Sequence, residues 1–212
     1  VAGNARVAYN AFVLVINVIC FLIAVIAMEG VAWATHRWVM HGPLWVLHKS
    51  HHSERTGAFE ANDLFAVGFA GIAIAMFWIG AEREWSAITW AAAGVTTYGA
   101  LYAIVHDGMV HRRWPFRVVP RRGYLKGLVQ AHRLHHAVDA REGAVSFGFL
   151  APQDVRRLSA SLKRRREGSD MGPQVRPVGN GQEPLDAAPQ GDQRTAPRQP
   201  ELHAAGDHHS PL

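Results

Sequence analysis

The 212 residues contain one cysteine, Cys20, set inside an apolar run. A lone thiol excludes a disulfide framework, a cysteine zinc site and a cysteine-ligated iron–sulfur cluster. Any metal is therefore held by nitrogen or oxygen, and electrons for redox chemistry must come from another protein. Two common metal signatures are also absent: the Glu-x-x-His pair of ferritin-like di-iron proteins and the H-E-x-x-H of zincins. Charge itself is missing from three stretches, residues 7–28, 64–81 and 85–105. Apolar residues are in turn scarce after about residue 168, where Pro173, Pro177, Pro184, Pro189, Pro197, Pro200 and Pro211 interrupt any helix.

The three charge-free runs are 18 to 22 residues long. At ~1.5 Å per residue the longest reaches ~33 Å, enough for a ~30 Å hydrocarbon core. This predicts an all-α integral membrane protein with three to four transmembrane helices. Two alternatives carry less. Buried helices of a soluble protein rarely lack charge over such lengths. A cleaved signal peptide would have only Arg6 before its apolar run and would leave the histidines that follow at a loose terminus. The start at Val1, without methionine, points to a processed or missing N-terminus. Residues 1–152 read as the membrane domain, 153–167 as a basic helix and 168–212 as a disordered tail. The run 144–152 is too short to span and reads as re-entrant or interfacial.

The net charge is +5. Much of the positive charge follows residue 111, as Arg112, Arg113, Arg117, Arg121, Arg122, Lys126 and Arg133. Basic residues placed after apolar spans suit an anionic membrane face better than nucleic acid. The positive-inside rule puts this segment in the cytoplasm, in a bacterium at the inner membrane. Span three then runs inward, span two outward and span one inward. Trp78, Trp85 and Trp90 suit an aromatic belt, and Trp114-Pro115-Phe116 an interfacial anchor.

Ten of the thirteen histidines form two copies of one arrangement. Each copy is H-x4-H followed by H-x2-H-H: His36, His41, His48, His51 and His52, then His106, His111, His132, His135 and His136. The topology puts all ten on the cytoplasmic face. In H-x2-H-H the three rings share a helical face and can converge on a metal. In H-x4-H the pair lies about 140° apart on a regular helix, so convergence calls for a break, which Gly42-Pro43 and Gly108 could supply. Ten imidazoles exceed the needs of one ion, and two ions with four or five nitrogens each is the natural count. Imidazole suits Zn, Cu, Fe and Ni, which leaves the metal open. Asp107, Asp139 and Glu142 are candidates to accept the far ring N–H groups, with salt bridges to nearby arginines the equal alternative. Asn62-Asp63 reads as a helix cap, a site role being the less favoured option. Tyr98, Tyr102 and Trp33 are candidates for a substrate channel, although packing is the commoner use of such residues. His203, His208 and His209 lie in the tail and are excluded. A metal transporter or sensor is the competing class, but it would place ionisable residues within the spans, and these runs have none.

The histidine series resembles the fatty acid hydroxylase superfamily of membrane non-haem di-iron oxygenases. The stretches HRWVMHGPLWVLHKSHH, NDLFAV, HDGMVHRRWPF, RRGYLKGLVQAHRLHHAV and VSFGFLAP are similar to bacterial β-carotene hydroxylases, over residues 25–152. The resemblance implies two iron ions on the ten histidines, O2 as co-substrate and a ferredoxin-type electron donor. It also implies hydroxylation at carbon 3 of β-ionone rings, taking β-carotene through β-cryptoxanthin to zeaxanthin, or canthaxanthin towards astaxanthin. The carotenoid would come from the bilayer. A related lipid hydroxylase or desaturase with the same site is the alternative.

Overall fold

Each charge-free stretch folds as a long helix in the computed structural model, which describes residues 2–53, 55, 57–115, 118–151 and 153–168. Helix α1, Ala2–Ala34, runs without a break into a π-helix, π1, Thr35–Met40. A short α2, Trp45–His48, continues as a 3-10 turn over Lys49–His52. Helix α3 is Asp63–Glu82, and α4, Ser86–Tyr102, passes into a second π-helix, π2, Ala103–Val110. Helices α5, Gly123–His135, and α6, Val155–Gly168, complete the described residues. The fold is all-α, as the sequence predicts. Three continuous helical stretches, Gly3–Met40, Asp63–Glu82 and Ser86–Val110, are long and apolar enough to cross a membrane. Their outward faces carry exposed Val7, Phe12, Ile23, Ile26, Val67 and Ile74, which lipid accommodates and water does not. The tail expected over 168–212 lies outside the described residues, except for Gly168.

Helices α1 and α4 run parallel and in register. The Ser86 hydroxyl donates to Asn17 Oδ1 at 3.1 Å, and the Tyr98 hydroxyl donates to the Glu29 carboxylate at 2.7 Å; both pairs are separated by 69 positions. Between them Gly94 lets the backbones meet, since a Cβ there would lie 2.6 Å from the Phe21 carbonyl oxygen. His106 follows His36 by 70 positions, and His111 follows His41 by the same interval. Parallel helices in that register must deliver both H-x4-H boxes to one end. Helix α3 returns antiparallel beside α4, so its first residues, after Asn62, stand at the histidine end too. Residues 2–16 of α1 precede Asn17 and extend about 22 Å beyond the start of α4.

Helix α5 is strongly amphipathic. Its Leu134, with Ala137, Val138, Ala144, Val145, Phe147 and Leu162 of α6, forms a buried cluster against the histidines. Residues 144–151 form an irregular strap in which Ala144, Val145, Ser146, Phe147 and Phe149 are buried within the protein. Its Val145 and Phe147 carbonyls and its Phe149, Leu150 and Ala151 N–H groups find partners within the protein, whereas the buried Ser146 hydroxyl has none among the described residues.

Candidate metal centre

The H-x4-H boxes converge by widening the helix, not by breaking it. His41 N–H donates to the His36 carbonyl at 3.0 Å, and His111 N–H to the His106 carbonyl at 2.9 Å. These i→i+5 bonds define π-helical turns, which recur at functional sites, and they bring residues five apart nearly over one another. The break expected at Gly42-Pro43 and Gly108 is therefore corrected. Gly108 lies inside π2, and Gly42 follows π1, where a Cβ would sit 1.8 Å from the Trp38 carbonyl oxygen.

The H-x2-H-H boxes do not send three rings to one place, and this expectation is corrected as well. His36, His41, His48, His52 and His135 form one group, the His36 site. His51, His106, His111, His132 and His136 form another, the His106 site. Within each group one ring nitrogen per residue lies within 4.8 Å of the others, a set that could hold a metal ion. Positions i and i+4 are about 40° apart on a helix, while i+3 lies about 100° from i+4. The outer two histidines of each box thus serve their own site, and the middle one, His51 or His135, crosses to the other. The sites abut, with the rings of His52 and His136 only 4.6 Å apart.

The tautomers follow from the partners. In the His36 site, His36 Nδ1 faces the Phe147 carbonyl at 3.0 Å, His41 that of Arg141 at 2.7 Å, and His52 that of Val138 at 2.9 Å. His135 faces the Val145 carbonyl at 3.1 Å, and His48 faces Asn62 Oδ1 at 2.7 Å. In the His106 site, His51 Nδ1 faces Glu60 Oε2 at 2.9 Å and His106 Nδ1 faces Asp107 Oδ1 at 2.7 Å. These oxygens only accept, so Nδ1 carries the proton and a neutral ring leaves Nε2 as a lone pair. Yet His36 and His48 approach Nε2 to Nε2 at 3.1 Å, His41 and His135 at 3.2 Å, and His51 and His106 at 3.0 Å. Facing lone pairs at that distance repel unless a cation lies between them. The donor set thus fits metal ions.

Burial favours the neutral form at six of the rings. Desolvation lowers the pKa of His48 and of His111 to about 2, with neighbouring histidines pushing the same way. Burial likewise lowers His41, His132, His135 and His136.

Of the carboxylates singled out by sequence, Asp107 accepts from His106. At the other two positions the preceding backbone carbonyl reaches a ring, Val138 before Asp139 and Arg141 before Glu142, and Glu142 itself is exposed. Asn62 makes no side-chain cap and instead holds His48, so its expected capping role is corrected. Asp63 takes a bidentate pair from Arg113 at 2.7 and 2.6 Å. Sequence reasoning missed Glu60, whose bond from His51 holds its carboxyl below the usual range.

It also missed Glu29, about two helical turns before the first box. The Glu29 carboxylate accepts N–H bonds from Phe149 at 2.9 Å, Leu150 at 3.0 Å and Ala151 at 2.9 Å, besides the Tyr98 hydroxyl. It therefore fixes the strap whose Val145 and Phe147 carbonyls orient His135 and His36.

An apolar cavity of about 490 Å³ opens between α1, α3 and α4. Phe65, Phe69, Ala73 and Phe77 line its α3 side, and Asn62, Tyr102, Asp107 and Phe149 close its histidine end. Tyr98 and Tyr102 both line it, and the Tyr102 ring stacks on His106 at 4.4 Å. Trp33 does not line it; it packs edge-on against Trp38.

Comparison with known proteins gives a consistent picture. The fatty acid hydroxylase family model matches residues 21–153. The chain is 54% identical over 152 residues to the β-carotene hydroxylase of Pseudescherichia vulneris, covering 72% of this chain and 86% of that protein. It is 50% identical over 156 residues to that of Pantoea ananas, covering 74% and 88%. With the chloroplastic β-carotene 3-hydroxylase 2 of Arabidopsis thaliana it shares 36% identity over 147 residues, 68% of this chain and 48% of that one. No solved structure matches.

Proposed function

The chain belongs to the fatty acid hydroxylase family, and we propose that it hydroxylates carbon 3 of the β-ionone rings of carotenoids. β-Carotene becomes β-cryptoxanthin and then zeaxanthin, and canthaxanthin is a further substrate on the way to astaxanthin. The ten histidines hold two iron ions, five to each. One C–H bond is exchanged for C–OH, and the second oxygen atom of O2 leaves as water at the cost of two protons and two electrons. A ferredoxin-type protein supplies the electrons. The bound irons supply the O2 activation that no side chain here can perform.

The observation that carries this reading is the apolar cavity, one end of which is closed by Asn62, Asp107, Tyr102 and Phe149, residues that touch His48, His106 and His36. A bilayer-dissolved ring can enter between the spans without crossing water. The lining excludes water from the reacting carbon, and the cavity size falls within the usual ~300–1,000 Å³ of small-molecule sites. Asn62, Glu60, Asp107 and the strap carbonyls hold the imidazoles in one tautomer and orientation. The basic residues near the histidines, Arg112, Arg113, Arg121, Arg122 and Lys126, support a cytoplasmic site, for the opposite turn carries only Glu82, Arg83 and Glu84.

Expression of the chain in a β-carotene-accumulating host tests the proposal. β-Cryptoxanthin and zeaxanthin are expected in the pigment extract. Unchanged β-carotene, with the protein inserted and iron-loaded, would sink the substrate assignment and favour a hydroxylase or desaturase of another lipid.

A further inference from the structure

The two sites are each built from five histidines, but the oxygens that accept from their rings differ in charge. Every Nδ1 of the His36 site donates to a neutral oxygen: four backbone carbonyls and the Asn62 amide. A guanidinium also leans on that site, with Arg141 Nε donating to the His41 carbonyl at 3.1 Å. In the His106 site, two of the five rings donate to carboxylates, Glu60 and Asp107. Asp63 lies beside them, and Arg113 bridges Asp63 at 2.6 Å and Asp107 at 3.7 Å. Three carboxylates and one guanidinium leave this edge net negative.

A carboxylate behind an imidazole raises the basicity of the nitrogen that faces the metal. It also adds negative charge a few ångströms from the ion, where partial burial leaves the attraction only weakly screened. Resting on the metal-site reading above, we propose that the two sites are inequivalent: the His106 site binds a divalent cation more tightly and fills first, with Glu60 and Asp107 as the positioning residues that set the difference. The near-symmetry of the sequence repeat is thus broken in the residues around the ligands, not in the ligands. Asn62 holds His48 in a place where a carboxylate would bring the sites closer together in charge.

The test is an anaerobic titration of the full-length, metal-stripped protein in detergent with cobalt(II), read by visible absorbance against a competing chelator. Two steps differing by at least about tenfold are expected. Repulsion between two dications also separates steps, so the variants decide. Glu60→Gln and Asp107→Asn are each expected to weaken the tight step by about 10- to 100-fold and to leave the weak step nearly unchanged. Asn62→Asp, which adds a carboxylate and removes no partner, is expected to tighten the weak step and narrow the gap. Two steps of equal affinity, or variants that move both steps alike or neither, would overturn the inequivalence while leaving a two-metal site standing. Failure to bind cobalt at all would overturn both readings.

Discussion

Replacing Glu29 with alanine removes the acceptor for Phe149 N–H, Leu150 N–H, Ala151 N–H and the Tyr98 hydroxyl at once. Ala151 is exposed, so water can replace its partner. The other three groups are wholly or partly enclosed, and an unmet donor costs about 1–3 kcal/mol. Allowing for relaxation of the strap, a loss of roughly 3–5 kcal/mol is expected for Glu29→Ala. Glu29→Gln keeps one acceptor oxygen and turns the other into a donor, so it should fall between. At about 2–4 °C per kcal/mol for a chain of this size, the alanine variant should melt roughly 6–20 °C lower. A second effect separates this role from simple packing. Once the strap loosens, the Phe147 and Val145 carbonyls lose their aim on His36 and His135, and metal affinity at the His36 site should fall about 10- to 100-fold. Thermal unfolding and chelator competition in the same detergent measure both effects. An alanine variant with unchanged melting and unchanged metal affinity would refute the idea that this carboxylate holds the site together.

Three other outcomes are expected. His135→Ala removes the fully buried ring that α5 lends to the His36 site; hydroxylation should fall at least about 100-fold while membrane insertion persists, and full turnover would show that the ring is not a ligand. Gly99→Phe projects into the cavity, where no atom lies within 4 Å of a Cβ at that position; turnover of β-carotene should drop by about tenfold or more with metal content unchanged, and normal turnover would place the substrate elsewhere. Acidification should weaken the fold. His48 and His111 are neutral in the folded protein, with pKa about 2, whereas in the unfolded chain they take up protons below the ordinary 6.5. Their stabilisation is complete above that pH and is lost as pH falls through it, at about 1.4 kcal/mol per unit for each ring. By pH 5 each has lost about 2 kcal/mol, so the metal-free protein should melt lower at pH 5 than at pH 7.5, and an unchanged melting temperature would contradict the burial.

The fold class was legible because charge-free runs and histidine spacing are sequence properties. The parallel register of α1 and α4 was legible only in outline: the topology brings the boxes to one face, but Gly94, Asn17 and Ser86 set the level. The π-helices were half visible, since a ligand spacing of five is what an i→i+5 turn aligns; a regular helix made a break look necessary. The exchange of His51 and His135 depends on how α2 and α5 face each other, which no local pattern encodes. Most Nδ1 partners are backbone carbonyls, and a carbonyl has no letter in the sequence. Glu29 and Glu60 did leave signals, as lone acids just before a histidine box and just before α3, but only the folded strap and the turned imidazole give them a use.

Ten imidazoles in two adjacent groups beside the apolar cavity call for two metal ions per chain. Elemental analysis of the purified full-length protein, expressed with ample iron, tests that count most directly. Two iron atoms per chain are expected, falling to one or fewer in His135→Ala. One atom or none in the unaltered protein would contradict it.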